Sequence, residues 1–282
     1  MECALYVVAT PIGNMRDISL RALDILAEAD TVAAEDTRDS AHLLTHHGIT
    51  AKRLLALHQH NERGAANKVI ELLAQGQTVA LITDAGTPAV SDPGALVVQE
   101  VRAAGYRVIP IPGANAAVAA LSAAGLVSPH FLFYGFLPNK STARCKELQG
   151  LMAYPYTLVF YEAPHRVLES VADILAVFGG EREIVLAREI TKMFENIHRC
   201  RLDEALPWLN SDPNNLRGEF VLLVSSSPER AAGLSVEAEQ VLKALLAELP
   251  LKQAVQLAVQ ITGLAKNELY QKALELKNEN TA

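Results

Sequence analysis

Through residues 4–112, short apolar, β-branched runs alternate with segments whose apolar residues recur at helical spacing. That alternation limits the chain to an α/β fold with a mainly parallel sheet covered by helices. Ala4–Thr10 is a continuous apolar run ending at Pro11 and reads as a buried strand. Leu20, Leu23, Ile25 and Leu26 follow on one helix face. Thr31–Ala34, Arg53–Leu57, Thr78–Thr83 and Arg107–Pro110 read as further strands. Helices are predicted over Ser40–His47, stopped by Gly48, and over Arg63–Gln75, stopped by Gly76. A third runs to Gly105, with Asp92 as its N-cap and Pro93 in its first turn.

From Pro112-Gly113 the pattern changes. A small-residue helix over Asn115–Ala124 leads into a strand at Phe131–Gly135, a polar helix around Lys140–Met152 and a strand at Tyr156–Glu162. After a helix from Pro164 to Phe178, Glu183–Arg188, Phe194–Arg199 and Gly218–Val224 predict strands and a mixed α+β second domain. Ser225–Leu234 is a linker by composition. Ser235–Leu249, Leu251–Thr262 and Ala265–Lys277 fit three helices, with Thr262-Gly263-Leu264 as a helix-turn-helix turn. The expected division is an N-terminal α/β domain over 1–112, a second α+β domain over 113–227, and a linker with a small helical module over 228–282.

Half of the 282 residues are hydrophobic, enough for a packed core, and the formal net charge is −7. That charge argues against indiscriminate nucleic-acid binding but leaves room for a local basic groove. Cys3, Cys145 and Cys200 are few, odd in number and far apart, which points to a reducing compartment. The N-terminus has no basic leader, and no apolar run approaches the ~20 residues that span a bilayer. A cytoplasmic protein without a membrane partner is expected. The sequon Asn139-Lys140-Ser141 therefore reads as chance.

The first strand ends in Thr10-Pro11-Ile12-Gly13-Asn14, which has neither GxGxxG nor the P-loop pattern, so NAD and ATP readings lose support. The richest segment is Thr83 to Gly94, a small-residue loop longer than an ordinary strand-to-helix turn. Its composition permits close backbone approach to a ligand. Other candidates keep two readings each. Glu35-Asp36-Thr37-Arg38 is a site or a helix cap. His58, His60 and Glu62 read as a solvent-facing loop before a metal set, with an RNA-facing role for His60-Asn61-Glu62 between. Glu162 and His165-Arg166 stand where a strand gives way to a helix, a site position or a first-turn carboxylate. Arg188, Glu189 and Lys192 are a site or a local ion pair. His42, His46 and His47 read as helix surface. In the C-terminal module Glu outnumbers Lys, so charge alone makes it a solvated bundle or a dimerisation element.

Thr10-Pro11-Ile12-Gly13-Asn14, Ala34-Glu35-Asp36-Thr37-Arg38, His60-Asn61-Glu62, Asp84-Ala85-Gly86-Thr87-Pro88, Ser91-Asp92-Pro93-Gly94, Tyr161-Glu162-Ala163-Pro164-His165-Arg166, Ala187-Arg188-Glu189-Ile190-Thr191-Lys192 and Arg217-Gly218-Glu219 occur in that order. The series resembles the small-subunit ribosomal RNA methyltransferases of the tetrapyrrole methylase superfamily, over nearly the whole chain. The resemblance implies two α/β halves with S-adenosyl-L-methionine in the cleft between them, held by Pro11, Asp84, Thr87, Asn115, Ala116, Tyr161 and Ala187. It implies 2′-O-methylation of a cytidine ribose in the decoding region of 16S rRNA, by a homodimer. The acidic net charge favours the assembled 30S subunit over naked RNA as substrate, and no metal is expected from the residue pattern. Relatives on the same fold act on precorrins or diphthamide precursors. Many of those carry GxGxGD at the first turn, where this chain has Thr-Pro-Ile-Gly-Asn.

Methyl transfer to a weak ribose nucleophile needs alignment, and a nearby base or cation helps. Glu162, Lys192 and Glu35 are the catalytic candidates. Arg38, His60, Asn61, Arg166, Arg188, Lys252 and Lys266 are the RNA-binding candidates, the last two only because the resemblance turns the helical module toward RNA. The rival readings are small-molecule methylation on the same fold and a catalytically silent RNA-binding factor.

Overall fold

The computed structural model describes residues 1–58, 61–226 and 236–279. His60 lies outside the described residues, as does most of the predicted linker.

Five apolar runs pair in parallel: Leu5–Val8 (β1), Thr31–Ala34 (β2), Leu54–Ala56 (β3), Val79–Ile82 (β4) and Val108–Ile111 (β5), in the order β3-β2-β4-β1-β5. β2 and β4 are buried throughout, as continuous apolar composition requires of strands covered on both faces. Leu20–Glu28 (α1) and Thr37–His46 (α2) supply Leu26 and Leu44 to one face. Glu62–Ala74 (α3) and Ala95–Ala103 (α4) supply Val69, Leu73, Val97 and Val101 to the other. Parallel pairing places the C-terminal ends of β1, β2 and β4 side by side, and with them the Thr10, Glu35 and Thr83 loops.

The helix predicted from Asp92 begins instead at Ala95, with Gly94 as its cap. Gly94 has φ +125°, and a Cβ there would stand 3.0 Å from Leu81 Cδ2. Its N–H donates to the Glu62 carboxylate. Glycine thus makes a close turn over β4 that a proline-started helix could not.

The second sheet combines Phe131–Phe136 (β6), Thr157–Glu162 (β7), Glu183–Arg188 (β8), Asn196–Arg201 (β9) and Phe220–Val224 (β10), in the order β6-β7-β10-β8-β9. Only β6 and β7 run parallel; the other pairs are antiparallel. Ala116–Ala124 (α5) packs Ala117, Ala120 and Ala124 on one face against Val159, Val185 and Leu223. Small side chains bring this helix close to the sheet. Ser141–Leu151 (α6), Val167–Phe178 (α7) and Leu202–Ser211 (α8) cover the other face. α8 contains Pro207, a residue that masks helical character in a sequence. β9 starts two residues later than expected, because its ladder with β8 runs from Asn196 opposite Arg188 to Arg201 opposite Glu183.

Val236–Glu248 (α9), Leu251–Thr262 (α10) and Lys266–Glu279 (α11) share a core of Leu242, Val255, Ala258, Leu269 and Ala273. α10 ends at Gly263, whose φ of +69° is a left-handed cap, within the turn expected between the last two helices. Among the described residues no helix is long and apolar enough to cross a membrane.

Candidate active site

Two segments stitch the end of β1 to the loop after β4. Thr10 N–H donates to Gly86 O at 2.8 Å, Gly86 N–H returns to Thr10 O at 3.2 Å, and the buried Thr10 hydroxyl donates to Thr83 O at 3.0 Å. The Thr87 hydroxyl donates to Ala114 O at 3.2 Å, tying the loop to the approach of α5. Ala89 and Ser91 hold φ of +68° and +62° without being glycine. Such residues cost about 1 kcal/mol or more each and persist where surrounding structure holds them. Gly135 in β6 lets this loop reach the second sheet, since a Cβ there would stand 2.8 Å from Ser91 Oγ.

The result is a cleft of about 390 Å³ between the two sheets. Ile12, Ala85, Gly86, Thr87 and Asp92 line it from the first half, and Asn115, Ala116, Phe136, Tyr161 and Val221 from the second. The Tyr161 hydroxyl accepts from Ala117 N–H at 3.2 Å, and its ring meets the edges of Phe133 and Phe136. A side chamber of about 300 Å³ adjoins it, sharing Ile12, Ala85 and Glu219, with Pro11, Asp39, His42, Asp84 and Lys192 on its other walls.

Acidic groups gather around the cleft: Asp92 lines it and Asp84 lines the side chamber. The Thr83 hydroxyl donates to Glu35 at 2.7 Å, and Asp84 accepts Asp36 N–H at 3.0 Å. Burial, then the charge of Glu35, push Asp92 up to about 6. Burial also raises Asp84, reinforced by Glu35, Asp39 and Asp36 and opposed by the Asp36 N–H. Tyr161 is raised by burial and by Asp92. Among the described residues no lysine or arginine lines the main cleft. Lys192 stands in the side chamber, its ammonium 2.9 Å from both Glu189 and Glu219. Burial alone would lower it, but these two carboxylates hold it above its usual range.

A pH dependence follows from Asp92. Its folded value of about 6 lies above the ordinary 3.8, so the folded state binds the extra proton. Its penalty is absent below pH ~4, grows as pH rises, and is complete above the folded value. A fully buried group shifted this far would cost about 3 kcal/mol; partial exposure brings that to roughly 1–2 kcal/mol. Asp92→Asn is therefore expected to stabilise the protein at pH 7.5 and not at pH 4, by urea denaturation. Equal effects at both pH values would contradict this.

Of the residues expected to hold a cofactor, Thr87, Asn115, Ala116 and Tyr161 meet in the main cleft. Pro11 and Asp84 face the side chamber, and Ala187 is buried under α5. Glu162 borders the cleft, but its carboxylate accepts from the Ser170 hydroxyl and Ala163 N–H and pairs with Arg166 at 3.3 Å. Glu35 sits beneath, bonded to Thr83.

The RNA-binding candidates are scattered. Arg38 is exposed and pairs with Asp36 at 2.7 Å. Asn61 closes its own turn, accepting from His58 N–H and donating to Ala56 O. Arg166 and Arg188 point inward, donating to Leu137 O and Arg217 O. Lys252 and Lys266 are exposed on α10 and α11. Glu62 is committed to Gly94, and among the described residues no three histidine, cysteine or acidic side chains converge as a metal set. Sequence reasoning did not single out Ile12, Val90, Phe136 or Val221 as cleft residues, because apolar side chains carry no chemical signal. Asp92 enters the sequence reading as a helix cap and within the Ser91-Asp92-Pro93-Gly94 motif, not as a cleft wall.

The family model described as Tetrapyrrole (Corrin/Porphyrin) Methylases matches residues 4–206, and the one described as RsmI C-terminal HTH domain matches residues 232–277. The chain is 54% identical to "Ribosomal RNA small subunit methyltransferase I" of Pseudomonas aeruginosa over 278 residues, 98% of each chain. It is 50% identical to the protein of that name from Escherichia coli O157:H7, over 96% of this chain and 94% of the relative. Among solved structures, a cobalt precorrin-4 methyltransferase superposes with a TM-score of 0.59 at 18% identity, covering 79% of this chain and 95% of its own. A Thermus thermophilus uroporphyrin-III C-methyltransferase complexed with S-adenosyl homocysteine superposes with a TM-score of 0.56 at 16% identity, over 79% and 97%. These likenesses extend to the fold, and the family match and the relatives' identity over nearly the full length establish kinship: the chain belongs to the tetrapyrrole (corrin/porphyrin) methylase family.

Proposed function

We propose that the chain is an S-adenosyl-L-methionine-dependent methyltransferase acting on small-subunit ribosomal RNA. The observation that carries this is the cleft itself, in which Thr87 of the first half meets Asn115, Ala116 and Tyr161 of the second. It is joined by near-full-length relatives named for that activity.

The cleft suits such a cofactor. Its wall is mainly apolar, among the described residues it carries no lysine or arginine, and Asp92 adds negative charge that suits a sulfonium cation. A nucleoside triphosphate would find no lysine or arginine there among the described residues. Gly86, at φ +86°, and the neighbouring alanines let backbone approach a ligand closely. The start of α5 lines the cleft at Asn115 and Ala116, where Ala117 N–H donates to the Tyr161 hydroxyl and Val118 N–H to the Asn115 side chain, which fixes this wall in place. When bound, the cofactor supplies an activated methyl group. The protein's part is to hold an acceptor oxygen in line and exclude water.

The finer reading is that the acceptor is the ribose 2′-oxygen of a cytidine in the decoding region of 16S rRNA. With a net charge of −7, recognition of the assembled 30S particle, where shape supplements charge, is favoured over naked RNA. A cytoplasmic homodimer completes the proposal. A boundary near 112 is supported by α5, which packs wholly on the second sheet, and the module after 227 by its separate core. Mass mapping of ribose methylation in 16S rRNA from cells with and without the gene tests the reading. Loss of one 2′-O-methylcytidine is the expected result, and an unchanged map would overturn it.

A further inference from the structure

The side chamber is built around one ammonium group. Lys192 follows β8 in a turn where Glu189 and Thr191 take φ of +54° and +68°, left-handed conformations held without glycine. The Lys192 Nζ has three donors. Two go to Glu189 and Glu219 at 2.9 Å, which leaves one over in a side chain that lines the chamber. The first turn of the other half presses on this lysine: a Cβ on Gly13 would fall 2.5 Å from Lys192 Cγ and 2.9 Å from Thr191 Oγ1. The chamber opens beside the cofactor cleft across Ile12 and Ala85. It is polar where the cleft is apolar, with Asp84, Asp39 and His42 on its walls. Its volume of about 300 Å³ is at the small end of ligand pockets, room for a single nucleoside unit.

We propose that this chamber receives the acceptor ribose, with the spare Lys192 donor on the 2′-oxygen and Asp84 as the proton acceptor. The assignment rests on the function proposed above and names the residues that would serve it. The ribose oxygen gains the methyl carbon, the electron pair of the broken carbon–sulfur bond stays with the donor, and the hydroxyl proton passes to Asp84. Burial and the surrounding carboxylates raise Asp84, which makes it a better base than an ordinary aspartate. The lysine stabilises negative charge as it develops on oxygen.

Full-length wild type, Lys192→Met, Lys192→Arg and His42→Trp are compared on 30S subunits from cells lacking the gene. S-adenosylhomocysteine affinity is measured separately by calorimetry. Lys192→Met is expected to lower kcat about 100-fold, with KM and S-adenosylhomocysteine affinity within about threefold and partial rescue by Lys192→Arg. His42→Trp, exposed at the chamber rim, is expected to block transfer at unchanged S-adenosylhomocysteine affinity. Wild-type turnover by His42→Trp, or a Lys192→Met variant losing cofactor affinity in step with kcat, overturns the chamber assignment alone. Absence of transfer by the wild-type protein overturns the substrate reading and the chamber with it.

Discussion

Gly13→Ala is expected to cost about 2 kcal/mol of stability and at least tenfold in turnover, although it adds one methyl group. The added Cβ would fall 2.5 Å from Lys192 Cγ and 2.9 Å from Thr191 Oγ1, well inside contact distance. Overpacked sites of this kind typically cost about 1–3 kcal/mol. Gly13 also has φ +155°, within the range side chains avoid, which adds backbone strain. Relief by moving the lysine would pull it from Glu189 and Glu219. Denaturation midpoints and single-turnover rates measure both effects. Wild-type values for both would show that the two halves do not meet at this point.

The second large effect is expected at Glu162. Its side chain is fully buried, its carboxylate accepts from Ser170 and Ala163, and Arg166 lies 3.3 Å away with 17% exposure. Glu162→Ala leaves the Arg166 guanidinium without its carboxylate, though still bonded to Leu137 O, and the Ser170 hydroxyl without its acceptor. Breaking a buried pair from one side costs about 3–5 kcal/mol, and the partly exposed arginine places the expectation at about 3 kcal/mol. The damage falls on the start of α7, and with it on the cleft edge at Ala163 and Pro164. Urea unfolding measures it. A loss below about 1 kcal/mol would mean that the carboxylate is not an anchor.

The first half was legible because parallel strands buried on both faces leave continuous apolar runs, as in β2 and β4. The second sheet was legible in its elements but not in its order. β10 lies between β7 and β8 although 57 residues separate Glu162 from Phe220, and the residues themselves do not record that pairing. Asp92 misled because aspartate before proline is a strong local capping signal, whereas Gly94 was chosen by the closeness of Leu81. α8 went unread because of Pro207.

The site divides the same way. Tyr161 and Thr87 came through the motif series and Asn115 through the resemblance that series carries, and all three line one cleft. The side chamber draws on the first turn, α2, the loop after β4 and the turn after β8, so only the fold assembles it. Arg166 and Arg188 looked available to phosphate because cationic side chains in a sequence do not show which carbonyl oxygens will claim them.

Calorimetric titration of the full chain with S-adenosylhomocysteine tests most directly whether the two sheets shape one donor site. One site per chain with a Kd in the micromolar range, about −8 kcal/mol, is the expected result. No heat, together with no rise in the unfolding temperature at saturating ligand, would contradict it.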